Sequence, residues 1–79
     1  MKKNHLLNIE LDYQRLAKAR GNRSRAEVAE MLGFTPQFIG QIETGVRQPT
    51  PNTLLRLCFL YGLSLQDVAK GQEKFLLAS

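Results

Sequence analysis

The chain has a single cysteine, a single histidine, no tryptophan and only seven acidic residues among its 79 positions. Each shortage removes a class of protein. One thiol, Cys58, cannot close an internal disulfide, and no spacing of Cys with His resembles a metal site, so neither staple supports the fold and no cofactor is expected. The lone histidine, His5, lies in an unpatterned N-terminal stretch and Cys58 falls on an apolar helix face. No serine or carboxylate constellation supplies a nucleophile or an acid/base pair, which argues against an enzyme. No apolar run approaches the roughly 20 residues of a membrane span. Met1 to Leu7 lacks the apolar stretch and small-residue cleavage site of a secretion signal. The expectation is a cytoplasmic protein with no membrane partner.

What is present is enough for one domain, since 43% of the residues are hydrophobic. A core of this size is marginal on its own, so good helix packing or dimerisation has to hold it. Eleven basic residues against seven acidic ones give a net charge of +4, which favours an acidic partner and, most commonly, a nucleic acid. The distribution sharpens this, because Arg15, Lys18, Arg20, Arg23 and Arg25 fall in a stretch with no acid between Asp12 and Glu27. A plain solvated basic face would look the same.

The pattern is helical throughout, with no convincing strand, repeat or low-complexity segment. Ile9, Tyr13, Leu16 and Arg20 recur at spacings of four, three and four, placing them on one face of a first helix over 9–20 that Gly21 and Asn22 end. Ser24 and Glu27 form an S-x-x-E capping box that starts a second helix near Arg25, with Val28, Ala29 and Leu32 on its apolar side and Gly33 at its end. Thr35-Pro36 and Thr50-Pro51 are each a cap followed by proline at the first helical position. They open a third helix ending at Gly45 and a fourth over 51–61 that should bury Leu54, Leu55, Leu57, Cys58 and Tyr61. Gly62 closes the fourth, and Ser64 caps a short fifth containing Leu65, Val68 and Ala69. The chain therefore divides into an N-terminal arm 1–8, a helical domain 9–70 and a tail 71–79. Phe75, Leu76 and Leu77 make that tail a candidate dimer contact.

Two short helices joined by a glycine turn can cross steeply only if the residues at the crossing are small or apolar. Ala29 and Gly33, then Ile39 and Ile42 on the inward side of the third helix, meet the steric requirement of a helix-turn-helix. With Ser24 to Gly33, Ile39 to Gly45, Pro49, the Leu54-Leu55 pair and Gly62 to Leu65 all in order, residues 16–68 resemble the phage-repressor or Xre-type helix-turn-helix family. The resemblance implies an all-α, compact five-helix lambda-repressor-like domain whose motif covers about 25–44. Its second helix, 35–44, would lie in the major groove of double-stranded DNA.

A period of 3.6 places Gln37, Gln41 and Thr44 opposite Ile39 and Ile42, on a polar, uncharged face suited to base edges. A glutamine amide can pair with both N6 and N7 of adenine, though two glutamines can equally well solvate an exposed helix. Thr35 caps the helix, and its hydroxyl lies where free N–H groups favour a phosphate. Phe38 sits between the two faces and either seals the core or meets thymine methyl groups. Gly40 stands where the family usually has serine and should weaken the helix by about 1 kcal/mol relative to alanine, unless it permits a close backbone approach.

The resemblance also implies roles for the charged residues. Arg25 takes a position where the family commonly has a phosphate-contacting glutamine, and arginine keeps that role while adding charge. Arg23 replaces a usually apolar residue and points either to solvent or to DNA. Arg47 corresponds to a basic residue in the loop after the recognition helix, whereas Arg56 reads as ordinary surface. Glu43 would repel phosphate on a DNA face, and the family's equivalent acid pairs with an arginine of the first helix. Here Arg20 is the better match and Lys18 the alternative.

Two functional classes follow. One is a transcriptional regulator, most simply a repressor, bound as a homodimer to a roughly palindromic operator. The other is an antitoxin-like or adaptor module that holds a protein partner and uses DNA weakly or not at all. The apolar tail and Leu6-Leu7 fit a protein partner and a homodimer equally well.

Overall fold

The computed structural model describes residues 10–70. Along the chain run β1 (Glu10–Leu11), α1 (Tyr13–Arg20), α2 (Arg25–Leu32), α3 (Pro36–Glu43), α4 (Pro51–Tyr61), a 3₁₀ turn (Leu65–Val68) and β2 (Ala69–Lys70). The arm 1–8, Ile9, His5 and the tail 71–79 with its proposed dimer contact lie outside the described residues.

Short polar side chains set the helix starts. The hydroxyls of Ser24, Thr35 and Thr50 accept from the N–H groups of Glu27, Phe38 and Thr53, each covering a donor that the first turn leaves free. Ser24 and Glu27 complete their reciprocal box, with the Ser24 N–H donating to Glu27 Oε1 at 2.7 Å. Gly33 adopts φ +79°, in the left-handed region, and so turns the chain from α2 into α3. Gly45 has φ +80° as well as a crowded setting, because a Cβ there would lie 2.8 Å from the Tyr13 ring. Glycine is required at that junction on both grounds.

Three expectations about the elements themselves are corrected. The first helix starts at Tyr13 rather than Ile9, because Asp12 takes a non-helical conformation and accepts the Arg15 N–H at 3.2 Å. The preceding Glu10 and Leu11 pair antiparallel with Lys70 and Ala69, and the Asp12 N–H donates to the Val68 carbonyl at 2.7 Å. This small sheet was unforeseen because two-residue strands carry no periodic signal. In place of a fifth α-helix there is one 3₁₀ turn. Ser64 and Asp67 close it as a capping box, and Ala69 is already extended in β2. The described residues thus hold four α-helices, that turn and a two-stranded sheet.

The core is Leu16, Val28, Ala29, Ile39, Ile42, Leu57, Cys58 and Val68. α2 packs chiefly on α3, while α1 lies against α3, α4 and the 3₁₀ turn. Leu55 is 52% exposed, against expectation, and Thr53 is buried in its place. Leu55 is two residues from both Thr53 and Leu57, and steps of about 100° per residue turn it to the opposite side of α4. No helix among the described residues is long and apolar enough to cross a membrane.

Candidate nucleic-acid interface

α3 is anchored by Ile39, Gly40, Ile42 and Glu43, all buried. A helix this short presents little else, so its free surface consists of Pro36 and Gln37, the half-buried Phe38 and Gln41, and Thr44 at its end. Gln37 is exposed in the first turn, and its side-chain amide has no hydrogen-bond partner among the described residues. Gln41 is engaged: its Oε1 accepts from Arg47 Nε at 3.2 Å, and the Arg47 N–H donates to the Gln41 carbonyl at 3.1 Å. Thr44 is the C-cap, and its Oγ1 donates to the Gly40 carbonyl at 3.0 Å. Its methyl and oxygen lone pairs remain available, but its proton is committed to the helix.

Phe38 packs against the core and meets Phe34 with ring centroids 4.8 Å apart. Arg47 lies over the Phe38 ring and Arg56 over Phe34, at 5.5 and 5.2 Å from the centroids. Arg56 also donates to the Leu32 carbonyl at 2.6 Å, covering an acceptor at the end of α2. From the sequence alone this residue reads as ordinary surface. Its signal, a cation able to reach a helix C-terminus, came from a different helix and could not be seen locally.

Glu43 is the electrostatic centre beneath this surface, with its side chain only 3% exposed. Arg20 grips it from α1, Nε to Oε2 at 2.8 Å and Nη2 to Oε1 at 3.1 Å, and Arg25 donates Nε to Oε1 at 3.0 Å from the start of α2. Donation to the Glu43 carboxylate holds Arg20 more firmly protonated than usual, against the opposing effect of burial. Two guanidinium groups on one carboxylate leave a local surplus of positive charge. The acid of α3 is therefore internal and not a repulsive element on the outer face. Arg25 is half exposed and lies across Gly40, where a Cβ would come within 3.0 Å of its Nη1. Neither the Arg25–Glu43 pair nor this contact is legible in the sequence, because each joins residues on different helices.

Arg23 is directed elsewhere. It donates Nε to the Arg20 carbonyl at 3.2 Å and Nη2 to the Ala19 carbonyl at 3.4 Å, and it lies 5.2 Å over Tyr61. Burial raises the Tyr61 phenol above its usual range and the Glu43 charge adds to this, while Arg20 and Arg23 act in the opposite direction.

The packed α2–α3 pair with its glycine turn lies within residues 14–68, the segment matched by a helix-turn-helix family model. The chain belongs to the Xre and lambda-repressor type of helix-turn-helix family. No curated protein and no solved structure matches the chain. Membership makes this a DNA-binding regulator in general terms, from a family of DNA-binding rather than enzymatic domains. Within that family motif, α3 is the second helix, and Gln37, Gln41 and Thr44 mark its outer side.

Proposed function

We propose that this protein is a sequence-specific transcriptional repressor of the cytoplasm that places α3 in the major groove of a roughly palindromic operator. It binds as a homodimer whose two recognition helices are spaced by about 34 Å, one turn of DNA. Gln37 is the principal base reader, with Gln41 and Thr44 beside it. Arg25, Thr35 and Arg47 hold the phosphate backbone. Arg23 has the smallest share, since its guanidinium already serves α1. The carrying observation is the division of α3: Ile39, Ile42 and Glu43 are buried, and the first-turn Gln37 is exposed with no partner for its amide among the described residues.

The alternative of an antitoxin-like or adaptor module draws on Phe59, 91% exposed, with Met31 and Leu55 also exposed. Selection from random genomic DNA fragments at two salt concentrations separates the readings. The repressor predicts salt-sensitive enrichment of one sequence, and absence of binding at low salt would favour the adaptor. Sedimentation with and without residues 71–79 tests the dimer.

A further inference from the structure

Gly40 is a helix-interior glycine whose φ is ordinary, so no turn or left-handed conformation explains it. Its surroundings do. A Cβ built there would lie 3.0 Å from Arg25 Nη1, 3.3 Å from Cζ and 3.6 Å from Cδ. The bare α3 backbone is thus a floor on which the Arg25 side chain rests, and Glu43, one turn further along α3, takes the Arg25 Nε at 3.0 Å. Floor and acceptor together fix both the place and the orientation of the guanidinium. Its Nη1 and Nη2 amino groups have no hydrogen-bond acceptor among the described residues, and the side chain is 47% exposed. Because Arg20 already satisfies Glu43 with two hydrogen bonds, the Arg25 charge is not consumed internally.

We propose that Gly40 and Glu43 form a seat that pre-orients Arg25 for a two-pronged grip on one DNA phosphate beside the recognition helix. This inference rests on the DNA-binding reading above. Glu43 aligns the guanidinium plane through Nε and leaves the two amino groups as a fork, the geometry that matches a phosphate. Gly40 is then a positioning residue acting through Arg25. Fixing a long side chain before binding removes part of the entropy that ordering it would otherwise cost. A methyl group at position 40 would lift the guanidinium by a few tenths of an ångström, which a flexible side chain can tolerate, so the fold survives but the seat does not.

The test is a double-mutant cycle on the full chain, with fluorescence anisotropy on a mixed-sequence DNA duplex over a range of salt. Gly40→Ala should weaken binding about two- to tenfold while leaving the thermal midpoint equal or higher, since alanine is the better helix former. Arg25→Ala should lower the salt slope by about 0.9, the value of one phosphate contact. In the Arg25→Ala background, Gly40→Ala should change affinity no further. An equal loss in both backgrounds would mean that the methyl group meets DNA directly, and no loss in either would mean that the seat is unused; either result overturns the proposal. The Arg25 Nε–H resonance gives a readout independent of DNA: hydrogen-bonded and slow to exchange in the native chain, released in Gly40→Ala. If the native chain binds no DNA, the DNA-binding reading fails along with the phosphate grip. The resonance then decides separately whether the seat exists.

Discussion

Arg20 and Glu43, 23 residues apart, are joined by two hydrogen bonds of 2.8 and 3.1 Å that tie α1 to the end of α3. The two partners are unequally placed, because the carboxylate is 3% exposed and the arginine side chain 21%. Loss of either partner therefore has unequal consequences. Arg20→Ala leaves a buried carboxylate with only the Arg25 contact and should cost about 3 kcal/mol. Glu43→Gln leaves arginines that water can reach and should cost about 1 to 2 kcal/mol. Urea denaturation of both variants checks the order, and a larger loss for Glu43→Gln would contradict it.

Gln37 offers its amide from the first turn of α3 without a partner among the described residues. Gln37→Ala should relax preference at one base position by about 1 to 3 kcal/mol and leave the others unchanged. Gln41→Ala should do more than remove a base contact, because it also frees Arg47 from its 3.2 Å hydrogen bond. Affinity measured against single-base operator variants distinguishes the two, and unchanged specificity in Gln37→Ala would refute the base-reading role.

Arg47 and Arg23 are both arginines near helix ends, but their surroundings set them apart. Arg47→Ala should lower the salt slope of DNA binding by about 1. Arg23→Ala should instead lower stability by about 1 kcal/mol through its carbonyl and Tyr61 contacts and lower the slope less than Arg47→Ala does. Paired salt titrations and thermal melts test this, and the reverse pattern would move Arg23 to the DNA face.

Cys58 is buried, and burial raises its thiol above the ordinary range, with the Asp67 charge adding to the effect. A raised pKa in the folded state means that the unfolded chain ionises first. Stability should be fully present below about pH 8.5, the usual thiol value, and decline as pH rises from there through the folded value. Cys58→Ala should start from lower stability because of the cavity it leaves, yet lose less of it over that alkaline interval. Denaturant melts from neutral to alkaline pH provide the comparison.

The starts of α2, α3 and α4 are legible in Ser24-x-x-Glu27, Thr35-Pro36 and Thr50-Pro51 because a cap acts on donors two or three residues away. The inward side of α3 is equally local, since Ile39 and Ile42 lie three apart on one helical face. Leu55 shows the limit of composition without geometry: it is as apolar as Leu57, and only its angle around α4 leaves it exposed.

By itself the sequence determined the helical punctuation, the glycine turn between α2 and α3 and the family to which they belong. These depend on residues within a turn of one another and on motifs in fixed order. The tertiary structure alone decided that residues 10–11 and 69–70 meet in a sheet, that Glu43 is shared by Arg20 and Arg25, and that Gly40 lies under Arg25. Each of these contacts joins residues 15 or more positions apart. Its existence depends on how whole helices are set against one another, and that placement emerges from packing of the shared core rather than from any local pattern.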